Sequence, residues 1–219
     1  MNSDCLQTQR PDRHQNGVTS SKRLVVMNRH TGKVIWTKDS ELGFRHSAIV
    51  AGDGKVFCVD IVPEPVSSAL KRRLGEYRLV PPKLLALNIR NGKVLWDTDK
   101  DVFGTWLGYS SEHDVLLEAG RSSRDMIRGE PKGMAAYRGK DGYLLWNSDV
   151  SYGGPCMLHG DQVITDRYAY DLLNGEQKMR VDPLTGIEKP WEFKRNYGCN
   201  YAIASKHMLT FRSASARFD

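Results

Sequence analysis

The chain has 219 residues, 40% of them hydrophobic and 26% charged, with a formal net charge of +6. That length and balance describe an ordinary globular domain able to bury a sizeable core, and all-β folds of this size often run as one domain. No apolar run approaches the roughly 18 residues of a membrane span, and the four cysteines, Cys5, Cys58, Cys156 and Cys199, are too widely spaced for a disulfide framework or a CxxC site.

In chain order, residues 1–22 lack an apolar core segment and read as a disordered lead-in with no signal peptide. A hairpin follows at residues 24–36, LVVMNRHTGKVIW. An apolar β-branched run leads into a polar loop closed by Gly32, and Val34 and Trp36 then share one face of the returning strand. Asn28 suits an Asx turn and Gly32 the positive φ that closes it. The same unit recurs without a gap at residues 84–96, LLALNIRNGKVLW, and at residues 134–146, MAAYRGKDGYLLW. Gly32 and Trp36, Gly92 and Trp96, Gly142 and Trp146 thus keep one spacing. A fourth copy, AYDLLNGEQKM, retains Asp171 and Gly175 but carries Met179 where tryptophan belongs, followed by an offset turn with Asp182, Gly186 and a late Trp191.

Strand pairs also precede the hairpins, in SAIVAGDGKVFCVD with a turn at 51–54 and in CMLHGDQVITD with a turn at 159–161. Each repeat therefore supplies four strands, and four-stranded units repeated along a chain are the sequence form of a propeller blade. The fold expected is all-β, a β-propeller of four-stranded antiparallel blades spanning residues 23–219. Whole blades fall at about 46–96, 103–146 and 153–191, with half blades at 24–36 and 198–219. The strand count permits a four-bladed closure, but a partial ring is preferred, and its bare edges would then self-associate.

The pattern of Ala-Leu-Asn or Asp, a short polar turn, Gly-Lys, two apolar residues and Trp resembles the PQQ-like repeat. That repeat builds quinoprotein alcohol dehydrogenases and the propeller subunit of the outer-membrane protein assembly machinery. TGKVIW and NGKVLW carry the resemblance most fully; Arg138 departs from it in the third copy. The closing segment, from Pro190 to Ala216, is similar to part of large multi-blade bacterial proteins of this group, in which the chain continues, so a fragment of a larger ring is expected. The resemblance implies that Trp36, Trp96 and Trp146 dock between neighbouring blades. It also implies export, although this chain shows no export signal.

Two insertions interrupt blades between the second and third strands, at 61–83 and 119–133, and strand alternation puts both on the face opposite the glycine hairpins. The first carries Lys71, Arg72, Arg73, Arg78 and Lys83 against Glu64 and Glu76; the second carries Arg121, Arg124, Arg128 and Lys132 against Asp125 and Glu130. They hold five of the six net positive charges and make Arg72, Arg73, Arg121, Arg124 and Arg128 candidates for an anionic partner. A second register of glycines, Gly43, Gly104, Gly153 and Gly198, follows each repeat and opens the innermost strands. The residues after them, Arg45, His46, Trp106, Cys199 and Asn200, are the channel-mouth candidates for a bound cofactor.

The function read from this pattern is a non-catalytic propeller module that binds a ligand or protein partner on its basic loop face. The alternative is part of a PQQ-dependent quinoprotein oxidoreductase, where the cofactor carries the chemistry. The resemblance would then ask for adjacent cysteines, a stacking tryptophan (Trp106) and calcium ligands (Asn200 nearest). No two cysteines are adjacent, so PQQ rests on resemblance alone and neither a cofactor nor a metal is assigned. Nucleic acid is disfavoured despite a pI near 9.1, because the aromatic residues occupy repeat positions rather than alternating with the basic ones.

Overall fold

The apolar, β-branched runs and their glycine turns form antiparallel sheets in the computed structural model, which describes residues 20–62, 72–73, 80–103, 106–120, 133–150, 152, 156–193, 203–210 and 215–217. The first sheet has five strands in sequence order, β1 (Ser20–Met27), β2 (Val34–Gly52), β3 (Lys55–Asp60), β4 (Lys83–Asn88) and β5 (Val94–Thr98). Its organising element is β2. The first part pairs with β1, placing Trp36 opposite Val26, and the last part pairs with β3, placing Val50 opposite Phe57.

The hairpin at 24–36, expected as a separate half blade, is therefore hydrogen-bonded into the same sheet as the first whole blade. Ser20, Ser21 and Lys22, assigned by composition to the lead-in, belong to β1; Ser20 and Ser21 pair with Arg45 and Phe44. The change of partner within β2 is held by Asp60, whose carboxylate accepts the backbone N–H groups of Glu41 (2.8 Å), Leu42 (2.9 Å) and Gly43 (2.6 Å). A buried acid with three donors is satisfied, and the crossover stays extended.

The second sheet is a four-stranded blade, β6 (Trp106–Ser110), β7 (Val115–Ala119), β8 (Met134–Arg138) and β9 (Leu144–Ser148). The third contains β10 (Met157–His159), β11 (Gln162–Ile164) and β12 (Ala169–Asp171), and a separate hairpin follows, β13 (Met179–Val181) with β14 (Glu188–Pro190). A last sheet comprises β15 (Ile203–Ala204), β16 (Met208–Thr210) and β17 (Ser215–Arg217).

The irregular fourth copy has a simple geometry. Lys178 donates its N–H to Ala169, Trp191 donates to Lys178, and Phe193 donates to Arg167, while Tyr168 bridges Glu192. The outer edge of the third blade is thus built from two pieces, Gln177–Lys178 and Trp191–Phe193, and residues 179–190 are a hairpin inserted between them. With that hairpin removed, Trp191 falls four positions after Gly175, the spacing of the other copies.

Neighbouring sheets stack face to face. Phe57, Val59, Leu84 and Ala86 of the first pack against Leu107, Leu116, Ala135 and Tyr137 of the second. Leu117, Ala136 and Trp146 pack against Val163, Tyr170 and Leu172 of the third, and Trp191 and Phe193 close over Leu209. Strands covered on both faces read as continuous apolar runs, which is why VLLEA in β7 is buried throughout.

The repeat tryptophans share one contact. The indole N–H of Trp36 donates to the carbonyl of Ile89 (2.8 Å), that of Trp96 to Gly139 (2.9 Å) and that of Trp146 to Leu172 (2.8 Å). Each acceptor lies three residues before a turn glycine, in the next sheet for Trp96 and Trp146 and between β4 and β5 of the first sheet for Trp36, and each ring covers that glycine. An added Cβ would lie 2.8 Å from Trp36 at Gly92, 2.6 Å from Trp96 at Gly142 and 2.7 Å from Trp146 at Gly175. These glycines also have φ of 69°, 73° and 75°, so the turn needs glycine twice over, for its backbone and for the indole above it.

Candidate binding face

Antiparallel strands divide the ends of each blade into two faces. The glycine turns and the tight turns at 52–55 and 110–115 occupy one. The opposite face holds the loops that join second and third strands, where Asp60 pairs with Lys83 and Ala119 with Met134, together with the crossovers between blades.

On this loop face the necks of the insertions are well anchored. Gly120 donates its N–H to the carbonyl of Gly133 at 3.0 Å, closing the second insertion. The buried hydroxyl of Tyr152 donates to the Gly133 carbonyl at 3.0 Å and also contacts that of Gly120. At the first insertion, Lys83 forms an ion pair with Glu41 at 3.1 Å, which holds its ammonium in the charged form. One of the basic charges counted for that loop is therefore already compensated.

A cleft of about 320 Å³ lies between the crossover residues Asp101–Phe103 and the strand ends Gly133–Met134 and Asn147–Asp149. Glu118 lies against the same crossover, fully buried, accepting the Phe103 N–H (3.2 Å) and the Tyr137 hydroxyl (3.0 Å). Burial pushes its carboxyl up to about 8, against the opposing pull of the two donors. Asp60 and Glu118 thus do related jobs in successive blades, each holding the backbone that leads into an innermost strand. The signal for Glu118 was an acid within an apolar run.

The described channel-mouth candidates, Arg45, His46 and Trp106, do not share one open site. Arg45 lies within β2 and is 1% exposed. His46, the next residue, turns outward and brings a ring nitrogen within 2.6 Å of Ser21 Oγ. Trp106 opens β6 and packs against the core between the second and third sheets. Its ring lies over Gly108 so closely that a Cβ there would be 2.4 Å away. Gly43 lies in β2, where its N–H reaches Asp60. Arg72 and Arg73 are exposed in a short helical turn on the first insertion. Cys199, Asn200, Arg121, Arg124 and Arg128 lie outside the described residues, as do Gly104, Gly153 and Gly198.

Among the described residues, Trp106 covers its own strand, and Cys58 and Cys156 are buried in separate core clusters, where burial pushes each thiol up to about 12. The polar groups on the glycine-turn face serve stacking instead. Lys55 Nζ lies 3.0 Å from Asp114, and the Tyr109 hydroxyl lies 2.6 Å from Asp114 and 3.0 Å from Asp53, stitching the first blade to the second. Burial foremost, and then the two carboxylates, push the Tyr109 hydroxyl upward.

Stacked antiparallel sheets, joined by indoles on turn glycines, define a PQQ-like repeat β-propeller. The chain belongs to that family: the family model described as outer membrane protein assembly factor BamB matches residues 20–192. Among solved structures it is similar to BamB from Moraxella catarrhalis, with a TM-score of 0.54 and 14% identity over 90% of this chain and 51% of that one. It is also similar to a europium-containing methanol dehydrogenase, with a TM-score of 0.47 and 14% identity over 79% of this chain and 39% of that one. The chain spans about half the length of the Moraxella protein. No curated protein matches it in sequence.

Proposed function

We propose that the chain is a non-catalytic propeller module that binds a protein partner or other anionic ligand through its basic loop face. The observation that carries this reading is the division of labour among the residues. Trp106, Cys58 and Cys156 are committed to packing, whereas both arginine-bearing insertions leave the same face, with Arg72 and Arg73 exposed. Several like charges on one face raise the local concentration of an anionic partner and speed its encounter.

The test is site-specific photo-crosslinking in the host cell, with the crosslinker placed at Arg72 or Arg73 and, for comparison, at Lys93 or Lys140 on the glycine-turn face. We expect a discrete adduct from the loop positions that disappears when Arg121, Arg124 and Arg128 are changed to glutamate. Adducts of equal yield from both faces would remove the basis for the proposal.

A further inference from the structure

The hairpin inserted into the third blade carries a turn that copies the indole-receiving turns of the blades. At Asn88 the backbone N–H donates to the Lys93 carbonyl (2.8 Å), and the carbonyl accepts from Gly92 (2.8 Å). Asp171 repeats this with Glu176 (2.7 Å) and Gly175 (2.9 Å), and Asp182 repeats it again with Ile187 (2.9 Å) and Gly186 (2.8 Å). The side chains agree as well: Asp171 Oδ1 accepts from Leu173 and Asn174, and Asp182 Oδ1 accepts from Leu184 and Thr185. Gly186 has φ 69°, the value found at Gly92.

The difference is what covers the glycine. Gly92, Gly142 and Gly175 each lie under a tryptophan, but nothing described lies within 4 Å of a Cβ at Gly186. All five tryptophans of the chain are described, and none reaches it. The turn is also more apolar than the occupied turn at Gly92, where Arg90 and Lys93 flank the glycine. Here Leu184 is 95% and Ile187 65% exposed. The hairpin is held at its base, because the Arg180 guanidinium lies 3.9 Å from the centre of the Trp191 ring and Trp191 donates to Lys178. Its tip thus keeps the backbone geometry of the blade turns, and no described residue stacks on its glycine.

We infer that the Gly186 turn is a docking site for a tryptophan carried on an extended strand of another protein. The indole would lie on Gly186 and its N–H would reach the Pro183 carbonyl, which is three residues before the glycine, as Ile89, Gly139 and Leu172 are in the occupied copies. Leu184 and Ile187 supply the apolar rim. This site is independent of the basic loop face.

The probe is a peptide copying residues 33–39, the strand segment that carries Trp36 onto Gly92, titrated into the full chain while backbone amide shifts are followed. Saturable shifts are expected at Leu184, Thr185 and Gly186, with none from the peptide in which Trp36 is alanine. A Leu184→Asp/Ile187→Asp chain should bind about tenfold more weakly or worse, since loss of well-packed apolar contacts carries most of such affinities. Its melting temperature should be unchanged, because both side chains are exposed. Three results would overturn the inference: no saturable shift at these amides, equal binding by the doubly substituted chain, or shifts confined to the turn at Gly32, the other repeat glycine with nothing described above it.

Discussion

Trp96 lies on Gly142 so closely that a Cβ at that glycine would be 2.6 Å from the indole, while its N–H is bonded to Gly139. The two residues lie in adjacent blades, so the contact is a measure of blade stacking. Gly32 has the same backbone conformation, φ 67°, with nothing described above it. Gly32→Ala should therefore carry only the left-handed backbone cost, about 1–2 kcal/mol. Gly142→Ala should lose a further 1–3 kcal/mol or so, because the indole must move. Urea unfolding of both variants checks this, and equal losses would show that the indole contact contributes nothing.

Trp146→Phe keeps most of the apolar area but leaves the Leu172 carbonyl without its donor. That buried acceptor is expected to cost about 1–3 kcal/mol, measured as a lower urea midpoint with an unchanged slope. A variant as stable as the parent would mean that water replaces the indole.

Glu118 makes stability depend on pH in a direction unusual for a carboxylate. Its folded value of about 8 lies above the ordinary 4.5, so the folded chain holds a proton that the unfolded chain releases. Between those values the folded state binds more protons, and its stability falls as pH rises through the window. Below about 4.5 both states are protonated and the full contribution is present. Glu118→Gln should remove this part of the slope, seen by comparing unfolding free energies of the two chains from pH 4.5 to 8.5. Parallel curves would refute it.

Cys58 and Cys156 are buried, and their thiols are pushed up to about 12. In a chain with Cys5 and Cys199 changed to serine, a thiol reagent at pH 8 should react only as fast as the protein opens. Immediate labelling of the folded protein would contradict the packing described.

Deleting residues 179–190 should leave a folded propeller, because Lys178 and Trp191 are already hydrogen-bonded neighbours and the Gly175 to Trp191 spacing becomes regular. We expect a single cooperative melt with retained tryptophan fluorescence. A non-cooperative transition would show that the hairpin supports the blade.

The hairpin unit was the legible part of the sequence, because positive-φ glycines and period-two apolar strands leave local marks. Trp96 and Trp146 take the interblade positions the resemblance implied, and Trp36 makes the same contact on the β4–β5 turn of the first sheet. The continuity of β2 left no mark. Residues 37–43 are mostly polar; 37–39 are held by pairing with β1, and 41–43 by Asp60, which is distant in sequence. The fourth copy misled for a different reason: the inserted hairpin brings its own Asp182 and Gly186, so Met179 occupies the expected spacing while the functional tryptophan is Trp191. At the channel mouth, sequence position put Arg45 and Trp106 near the axis, but it carried no information on whether their side chains are spent on packing.

The continuous β2 has a consequence for how the chain comes apart. In a linear array of blades, cooperativity depends on the coupling between nearest neighbours. Here the first hairpin and the first blade share one backbone strand, and β2 meets both partners at Phe44, opposite Ser21 of β1 and Asp60 of β3. The two should behave as a single opening unit in hydrogen exchange, with the amides of β1 protected to the same free energy as those of β3.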